Sequence, residues 1–141
     1  MLDNLDVRFN GYKIVNKQIV DLKDIKNQPF INFKAPANKF YTTIMFDPDA
    51  PSRKQDMKNN WLHWLKINNN DIVMPFKPSD PPIGSGPHRY CICLLEQQTQ
   101  LDIPSPSQRA EFDIRGFINR YKLKPISYVM YIAERKGYEE N

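Results

Sequence analysis

The segment FYTTIMFDPDAPS, residues 40–52, determines the predicted fold class of this 141-residue chain. Residues 40–46 are almost all aromatic, β-branched or otherwise apolar, which predicts a buried strand at the centre of a sheet. The strand ends abruptly at Asp47-Pro48, and Pro48 and Pro51 restrict the backbone that follows. The sequence therefore predicts a central strand that leads directly into a rigid, acidic turn.

Shorter apolar segments on both sides of this strand predict further strands. Residues 5–20 alternate in polarity around Asn10-Gly11, a pair that favours a β-hairpin turn. The 12 prolines indicate many fixed turns between short elements. We therefore predict a mostly β protein whose other strands lie at residues 30–33, 61–67, 71–74 (an edge strand), 89–96 (a central strand) and 126–133.

One helix is predicted near residues 113–122. Asp113 is a favourable N-cap residue, and Phe112 and Phe117 have the spacing of a hydrophobic staple around it. Pro125 is expected to end the helix, because proline disrupts helical hydrogen bonding. Apolar side chains recur at helical spacing at Ile114, Phe117, Ile118 and Tyr121.

Length and charge restrict the class of protein. A chain of 141 residues without internal repeats predicts a single domain over residues 1–141. The 20 basic and 16 acidic residues are spread along the chain, which disfavours nucleic-acid binding. The net charge of +4 favours at most peripheral contact with an anionic membrane, and no apolar run is long enough to span one.

The N-terminus and the cysteines predict a cytoplasmic protein. The opening residues 1–4 lead into mixed polar sequence, without the pattern of a signal peptide. Cys91 and Cys93 point to the same face of a strand, with Cα atoms about 6.6 Å apart, near the upper limit for a disulfide. We therefore predict two buried, reduced thiols.

Ionisable residues stand at the ends of the most apolar strands in three places. In the turn of residues 47–52, aspartate side chains can bond backbone N–H groups. His63 lies within a strand, opposite in parity to both flanking residues, and His88 follows a loop at residues 84–87 whose glycines allow close approach to a ligand. Taken separately, each feature is more typical of a capped turn or a structural histidine than of a binding site.

Together, the three segments resemble the signatures of the phosphatidylethanolamine-binding protein family, also called the Raf-kinase-inhibitor-like family. The first signature has Asp-Pro-Asp-Ala-Pro-Ser at residues 47–52 and His63 after ten further residues. The second is Gly-Pro-His-Arg-Tyr at residues 86–90, preceded by the proline pair at residues 81–82. The resemblance covers residues 5–134.

The resemblance implies a β-sandwich of two sheets with one or two peripheral helices. It also implies a pocket at the strand ends that takes phosphate-like anions, including phosphoethanolamine headgroups. No catalytic residue, metal ion or cofactor is implied. The residues implied to bind the ligand are Asp47, Asp49, Pro51, His63, Pro81, Pro82, His88 and Tyr90.

Each predicted pocket residue has an expected role. The two histidines and the Tyr90 hydroxyl are expected to donate hydrogen bonds to phosphate oxygens. Asp47 is expected to orient a histidine or to accept from the ethanolamine ammonium, while Asp49 braces the turn. Arg89 points away from His88 by strand alternation, which favours a structural ion pair.

Two departures from the family pattern alter these expectations. Asp80 places a carboxylate at the pocket rim where many animal members have glycine, which disfavours anions or favours a zwitterion. Residues 135–141 are too few and too polar for the long C-terminal helix that closes the pocket in longer members. We therefore expect the chain to lack that helix and to have a more open site.

The leading functional hypothesis is a binding module that recognises a phosphate-containing small ligand or phospholipid headgroup and regulates a signalling partner such as a kinase. Serine protease inhibition through a surface loop, such as residues 97–108, remains an alternative. Metal-dependent hydrolysis is a weaker one, because the histidines and aspartates have no metal-ligand spacing. Ser85 is close to His88, but the sequence reveals neither a positioned base nor an oxyanion hole, so we predict a protein that is not an enzyme.

Overall fold

The computed structural model describes residues 2–50 and 60–137. The described residues form two β-sheets and contain one α-helix, α1 (Ile114–Arg120), and a short 3-10 helix (Leu22–Asp24). The strands are β1 (Asp3–Asn4), β2 (Asp6–Phe9), β3 (Tyr12–Lys13), β4 (Gln18–Ile19), β5 (Phe30–Asn32), β6 (Phe40–Asp47), β7 (Trp61–Ile67), β8 (Asp71–Met74), β9 (His88–Gln97) and β10 (Lys124–Ala133). The predicted mostly β architecture of two sheets is confirmed.

The larger sheet has seven strands, in the order β1-β10-β9-β6-β7-β8, with β4 also paired to β10. Neighbouring strands from β10 to β8 are antiparallel. The interior position of β6 and β9 and the edge position of β8 confirm the predictions from their sequences. Because β6 and β9 are antiparallel, with Phe46 opposite Cys91, the end of β6 meets the beginning of β9.

The smaller sheet has three strands in the order β3-β2-β5. Its β2–β3 hairpin turns at Asn10 (φ 52°) and Gly11 (φ 86°), two successive left-handed residues that are typical of a type I′ turn. Leu5, Val7 and Phe9 are buried in the core between the two sheets. The hairpin predicted from Asn10-Gly11 is therefore confirmed.

Alternating side chains of β9 enter two separate cores. Tyr90, Ile92 and Leu94 pack in the core shared with the smaller sheet. Cys91 and Leu95 pack in the core on the opposite face, beneath α1. Coverage of both faces explains why the sequence of β9 is almost continuously apolar.

The N-terminus of α1 has the predicted capping arrangement. The Asp113 carboxylate accepts a hydrogen bond from the Gly116 N–H at 3.0 Å. The rings of Phe112 and Phe117 lie 5.3 Å apart between centroids, which places the hydrophobic staple as expected. Local sequence is sufficient to begin this helix.

The predicted end of the helix at Pro125 is wrong. The helix ends at Arg120, and Lys122 adopts a left-handed conformation with φ 52°. The Leu123 N–H donates to the Ile118 carbonyl at 3.0 Å, which is the closing bond of a Schellman motif. Pro125 lies instead near the start of β10, where the register of the sheet shifts.

A β-bulge in β7 changes the direction of His63. Met45 pairs with Trp64 and the adjacent Phe46 pairs with Leu62, which leaves His63 as the additional residue. Leu62 therefore packs in the core beneath α1, while Trp64 packs in the core between the sheets. The predicted alternation, with His63 opposite in parity to both neighbours, is wrong because the bulge inserts one residue.

The two cysteines are unpaired, as predicted. Cys91 is buried, whereas Cys93 is half-buried, so the prediction of full burial is correct only for Cys91. Burial raises the pKa of each thiol to about 12. Both thiols are therefore protonated at neutral pH and weakly nucleophilic.

Candidate functional site

A cavity of about 540 Å³ lies where β6 ends and where β7 and β9 begin. Its lining combines carboxylates, imidazoles, a phenol and an amine with apolar walls. The lining residues are Asp47, Ala50, Trp61, His63, Lys77, Asp80, Pro82, His88, Tyr90, Ala110 and Glu111. Of the residues predicted to bind a ligand, the structure brings together Asp47, His63, Pro82, His88 and Tyr90.

Asp47 orients His88 at the floor of the cavity. The His88 Nδ1–H donates to Asp47 Oδ2 at 2.7 Å, and the other carboxylate oxygen accepts the Asp49 N–H at 2.7 Å. His88 Nε2 lies 2.8 Å from Ser85 Oγ. His88 is fully buried, and both of its ring nitrogens have protein partners, so it is a fixed part of the wall.

His63 presents a different face to the cavity. Its Nδ1–H donates to the Lys77 carbonyl at 2.7 Å. Burial lowers the pKa of His63, although this hydrogen bond and the charge of Asp47 act in the opposite direction. The imidazole is therefore neutral at pH 7 and keeps a lone pair on Nε2, which acts as an acceptor.

Tyr90 separates the two histidines and carries an unsatisfied hydroxyl. Its ring lies 5.4 Å from that of His63 and is stacked on that of His88 at 6.2 Å, measured between centroids. The side chain is fully buried, and its Oη has no hydrogen-bond partner within residues 2–50 and 60–137. Burial raises the pKa of Tyr90, so the hydroxyl stays protonated and available as a donor.

The rim of the cavity carries charges of both signs. Asp80 lies there, as predicted, and pairs with Arg135 at 2.8 Å. Lys77 and Glu111 also line the cavity, and Glu111 is held in a left-handed conformation with φ 59°. The rim therefore offers both an ammonium group and carboxylates to a ligand.

Asp49 faces away from the cavity lining. Its buried carboxylate accepts from Arg89 at the backbone N–H (2.8 Å), Nε (2.9 Å) and Nη2 (2.7 Å). The predicted structural ion pair of Arg89 is thus present, and Asp49 ties the turn after β6 to the beginning of β9. This geometry agrees with the bracing role expected of Asp49, while ligand contact by Asp49 stays a prediction.

The three predicted prolines occupy different positions. Pro82 lines the cavity. Pro81 is buried behind it, and its carbonyl accepts from Arg135 Nε at 3.1 Å. Pro51 lies outside the described residues.

Several lining residues were missed by sequence reasoning. Trp61, Lys77 and Glu111 come from three separate segments, and none of them belongs to the two signatures. Arg109 acts behind the wall, where its guanidinium donates to the carbonyls of Leu62, His63 and Pro75. A helical or strand periodicity could not reveal these residues, because only packing brings their segments to the cavity.

In residues 2–50 and 60–137, no group of three or more His, Cys, Asp or Glu side chains is arranged to hold a metal ion. No helix in this part of the chain has the length and apolar character needed to cross a membrane.

The fold and the cavity define a class of protein, a two-sheet β protein with an Asp–His–Tyr pocket at the strand ends. The model of the family described as "Phosphatidylethanolamine-binding protein" matches residues 13–72. This match and the structural neighbours described below support membership of the phosphatidylethanolamine-binding protein family. This agrees with the predicted resemblance, and the matched residues include the first of the two signatures.

Two curated relatives share sequence with this chain and differ in description. "Putative odorant-binding protein A5" of Drosophila melanogaster is 32% identical over 71% of this chain and 54% of its own length. The "26 kDa secreted antigen" of Toxocara canis is 32% identical over 70% of this chain and 43% of its own length. The chain thus spans about half the length of the curated relatives it matches.

Solved structures share the architecture at low identity. A carboxypeptidase Y inhibitor, solved in complex with its cognate proteinase, has a TM-score of 0.81 at 18% identity, over 94% of this chain and 83% of the inhibitor chain. The phosphatidylethanolamine-binding protein of Plasmodium vivax has a TM-score of 0.76 at 18% identity, over 96% and 88%. These likenesses show the fold.

Proposed function

We propose that the cavity binds a small phosphate-containing ligand, such as a phospholipid headgroup, without changing it chemically. The observation that supports this most directly is the unsatisfied Tyr90 hydroxyl, buried between His63 and His88. A buried hydroxyl without a partner costs about 1–3 kcal/mol. A phosphate oxygen that accepts from Tyr90 Oη removes this cost, and a charged acceptor makes the stronger bond.

The rim charges favour a zwitterion over a simple anion. Lys77 supplies a cation for a phosphate, while Asp80 and Glu111 supply acceptors for an ammonium group. A phosphoethanolamine headgroup carries both groups, so it suits a cavity lined by both signs of charge. A simple anion would meet three carboxylates, including that of Asp47, with fewer compensating contacts.

Because His63 is neutral, ligand binding depends on the protonation of the phosphate or of His63. Its Nε2 lone pair repels a fully ionised phosphate, so either the phosphate keeps one proton or His63 takes one up. We therefore expect binding of phosphoethanolamine to become tighter as the pH falls from about 8 to 6, where protonated forms of both groups are more populated.

Titration of phosphoethanolamine into the purified chain by calorimetry tests the proposal. Y90F removes only the hydroxyl and is expected to weaken binding about 10-fold, the loss of one hydrogen bond to a charged acceptor. Y128F is the matched control, because Tyr128 packs on the opposite face of the sheet. Equal affinity of wild type and Y90F would refute the role of Tyr90, and absence of binding at millimolar ligand would refute the proposal.

The wider biological setting is proposed on the family resemblance. We propose a single domain over residues 1–141 that acts in the cytoplasm and transmits ligand occupancy to a signalling partner such as a kinase. The secreted relative from Toxocara canis makes the location a necessary test. Fractionation of cells that produce the protein is expected to place it in the cytosol, and recovery from the medium would overturn that location.

Protease inhibition is a second candidate function. One feature of the loop at residues 97–108 favours it. Asn68 anchors this loop, because its amide bonds both the N–H (2.9 Å) and the carbonyl (2.8 Å) of Leu101. A loop held in one conformation suits a protease-binding segment, since little entropy is lost on binding. The carboxypeptidase Y inhibitor shares this fold.

A comparison of two variants separates this candidate from the cavity. N68G keeps the left-handed backbone of Asn68 (φ 52°) but removes the anchoring amide. Inhibition of carboxypeptidase Y or of a serine protease is expected to weaken in N68G and to stay unchanged in Y90F. Loss of inhibition in Y90F alone would refute a loop mechanism.

A further inference from the structure

A chain of hydrogen bonds joins Ser85, His88 and Asp47. Ser85 Oγ lies 2.8 Å from His88 Nε2, and His88 Nδ1 lies 2.7 Å from Asp47 Oδ2. These contacts have the connectivity of a nucleophile, a general base and an orienting carboxylate. The positioned base that the sequence could not reveal is therefore present in the fold.

The proton positions follow from the partners. An ionised Asp47 only accepts, so a neutral His88 keeps its proton on Nδ1 and leaves a lone pair on Nε2. This lone pair faces Ser85 Oγ. The hydroxyl donates its one proton to the Pro82 carbonyl at 2.7 Å, and rotation about the Cβ–Oγ bond turns that proton to the more basic His88 Nε2.

The surroundings of Ser85 are open to a small electrophile. Ser85 is half-buried and does not line the 540 Å³ cavity, so a substrate reaches it from the outer face of the loop. A Cβ built on Gly84 or Gly86 meets no atom of a non-adjacent residue within 4 Å, so the space beside each glycine is open. In the described part of the chain, the N–H groups of these glycines have no hydrogen-bond acceptor, so they are candidate donors to an oxyanion.

We propose that Ser85 is a nucleophile toward small acyl esters, an activity separate from ligand binding in the cavity. Ser85 Oγ forms a bond to the acyl carbon as its proton passes to His88 Nε2. The C–O bond to the alcohol then breaks, and the alkoxide leaves with that proton. Water adds to the acyl-serine by the same route, releasing the carboxylic acid and restoring the serine.

Labelling with a fluorophosphonate probe tests the nucleophile. Intact mass and peptide mapping are expected to show one adduct, at Ser85, which S85A abolishes. Ser105 provides the matched control, because its hydroxyl also donates to a backbone carbonyl at 2.7 Å but has no imidazole partner. S105A is expected to label as wild type does.

The role of Asp47 as a positioning residue is tested by D47N, which keeps the size of the side chain and stabilises the wrong tautomer of His88. We expect labelling of D47N to slow about 100-fold, within the range of general-base effects, and p-nitrophenyl acetate hydrolysis to fall with it. A thermal unfolding curve shows whether D47N is folded, and the S85A and S105A pair decides the question if it is not.

Three results would overturn the proposal. The first is that the wild type stays unlabelled while a serine hydrolase in the same assay is labelled. The second is that labelling persists in S85A. The third is that D47N is folded and is labelled at the rate of the wild type. A purely structural hydrogen-bond chain predicts the first result, because a structural serine does not react with the probe.

Discussion

Removal of the Asp49 carboxylate tests the bracing of the cavity wall. The Asp49 side chain is 0% exposed and Arg89 is 29% exposed, and the two share hydrogen bonds from the guanidinium and from the backbone. Loss of one partner of a buried ion pair costs about 3–5 kcal/mol. Partial exposure lets water solvate the Arg89 guanidinium, so we expect D49A to lose about 2–4 kcal/mol of unfolding free energy.

The ion pair between Asp80, at the cavity rim, and Arg135 is the control. Asp80 pairs with Arg135 at 2.8 Å, close to the 2.7 Å between Asp49 and Arg89, but the Asp80 side chain is 67% exposed. A pair with an exposed partner contributes about 0–1 kcal/mol, so D80A is expected to change stability little. The carboxylate removed is exposed in D80A and buried in D49A, whereas the guanidinium left behind is less exposed in D80A (Arg135, 10%) than in D49A (Arg89, 29%).

Urea denaturation at pH 7, followed by the fluorescence of Trp61 and Trp64, measures both variants. The expected order of stability is wild type, then D80A close to it, then D49A far below. If D49A loses no more unfolding free energy than D80A, the buried carboxylate does not brace the turn, and the reasoning from burial is refuted.

Three further outcomes are expected. Because burial lowers the pKa of His63, the unfolded chain binds a proton at this residue more readily than the folded chain does, so His63 makes the unfolding free energy fall as the pH drops below about 6.5. Denaturation measured at several pH values should therefore show a shallower fall in H63Q than in wild type. Equal slopes would contradict this. Cys91 and Cys93, with pKa values raised to about 12, should react slowly with Ellman's reagent at pH 8 until urea unfolds the chain. Rapid reaction of the native chain would contradict the raised pKa values. K122G should raise the unfolding free energy by about 0.5–1 kcal/mol, because Lys122 has φ 52° at the helix C-terminus and glycine adopts this left-handed conformation more readily than lysine. A decrease would show that the contacts of the Lys122 side chain matter more than the backbone conformation.

Local signals predicted much of the fold. The Asp113 cap, the Asn10-Gly11 turn and the apolar run of β6 each depend on residues adjacent in sequence, and each is present as expected. The end of α1 is an exception, because Lys122 takes the left-handed conformation that a glycine normally occupies and Pro125 has no part in it.

The candidate site was only partly accessible from the sequence. The two signatures indicated five of the lining residues, among them Asp47, His63 and Tyr90, because these occupy fixed positions in the motifs. Lys77 and Glu111 carry no local signal and reach the rim through the packing of irregular segments. The ligand-binding roles of all these residues remain predictions until the titrations are made.

Near neighbours and motif spacing specify the main strand segments, the start of α1 and the family that the chain resembles. Tertiary structure alone decided the direction and the partners of the site residues. His63 reaches the cavity through a bulge that exists only in register with β6, and His88 lies between Ser85 and Asp47 only once β6 and β9 are paired. A strand's own pattern does not specify its register, because each hydrogen bond in a sheet needs a partner from a distant part of the chain.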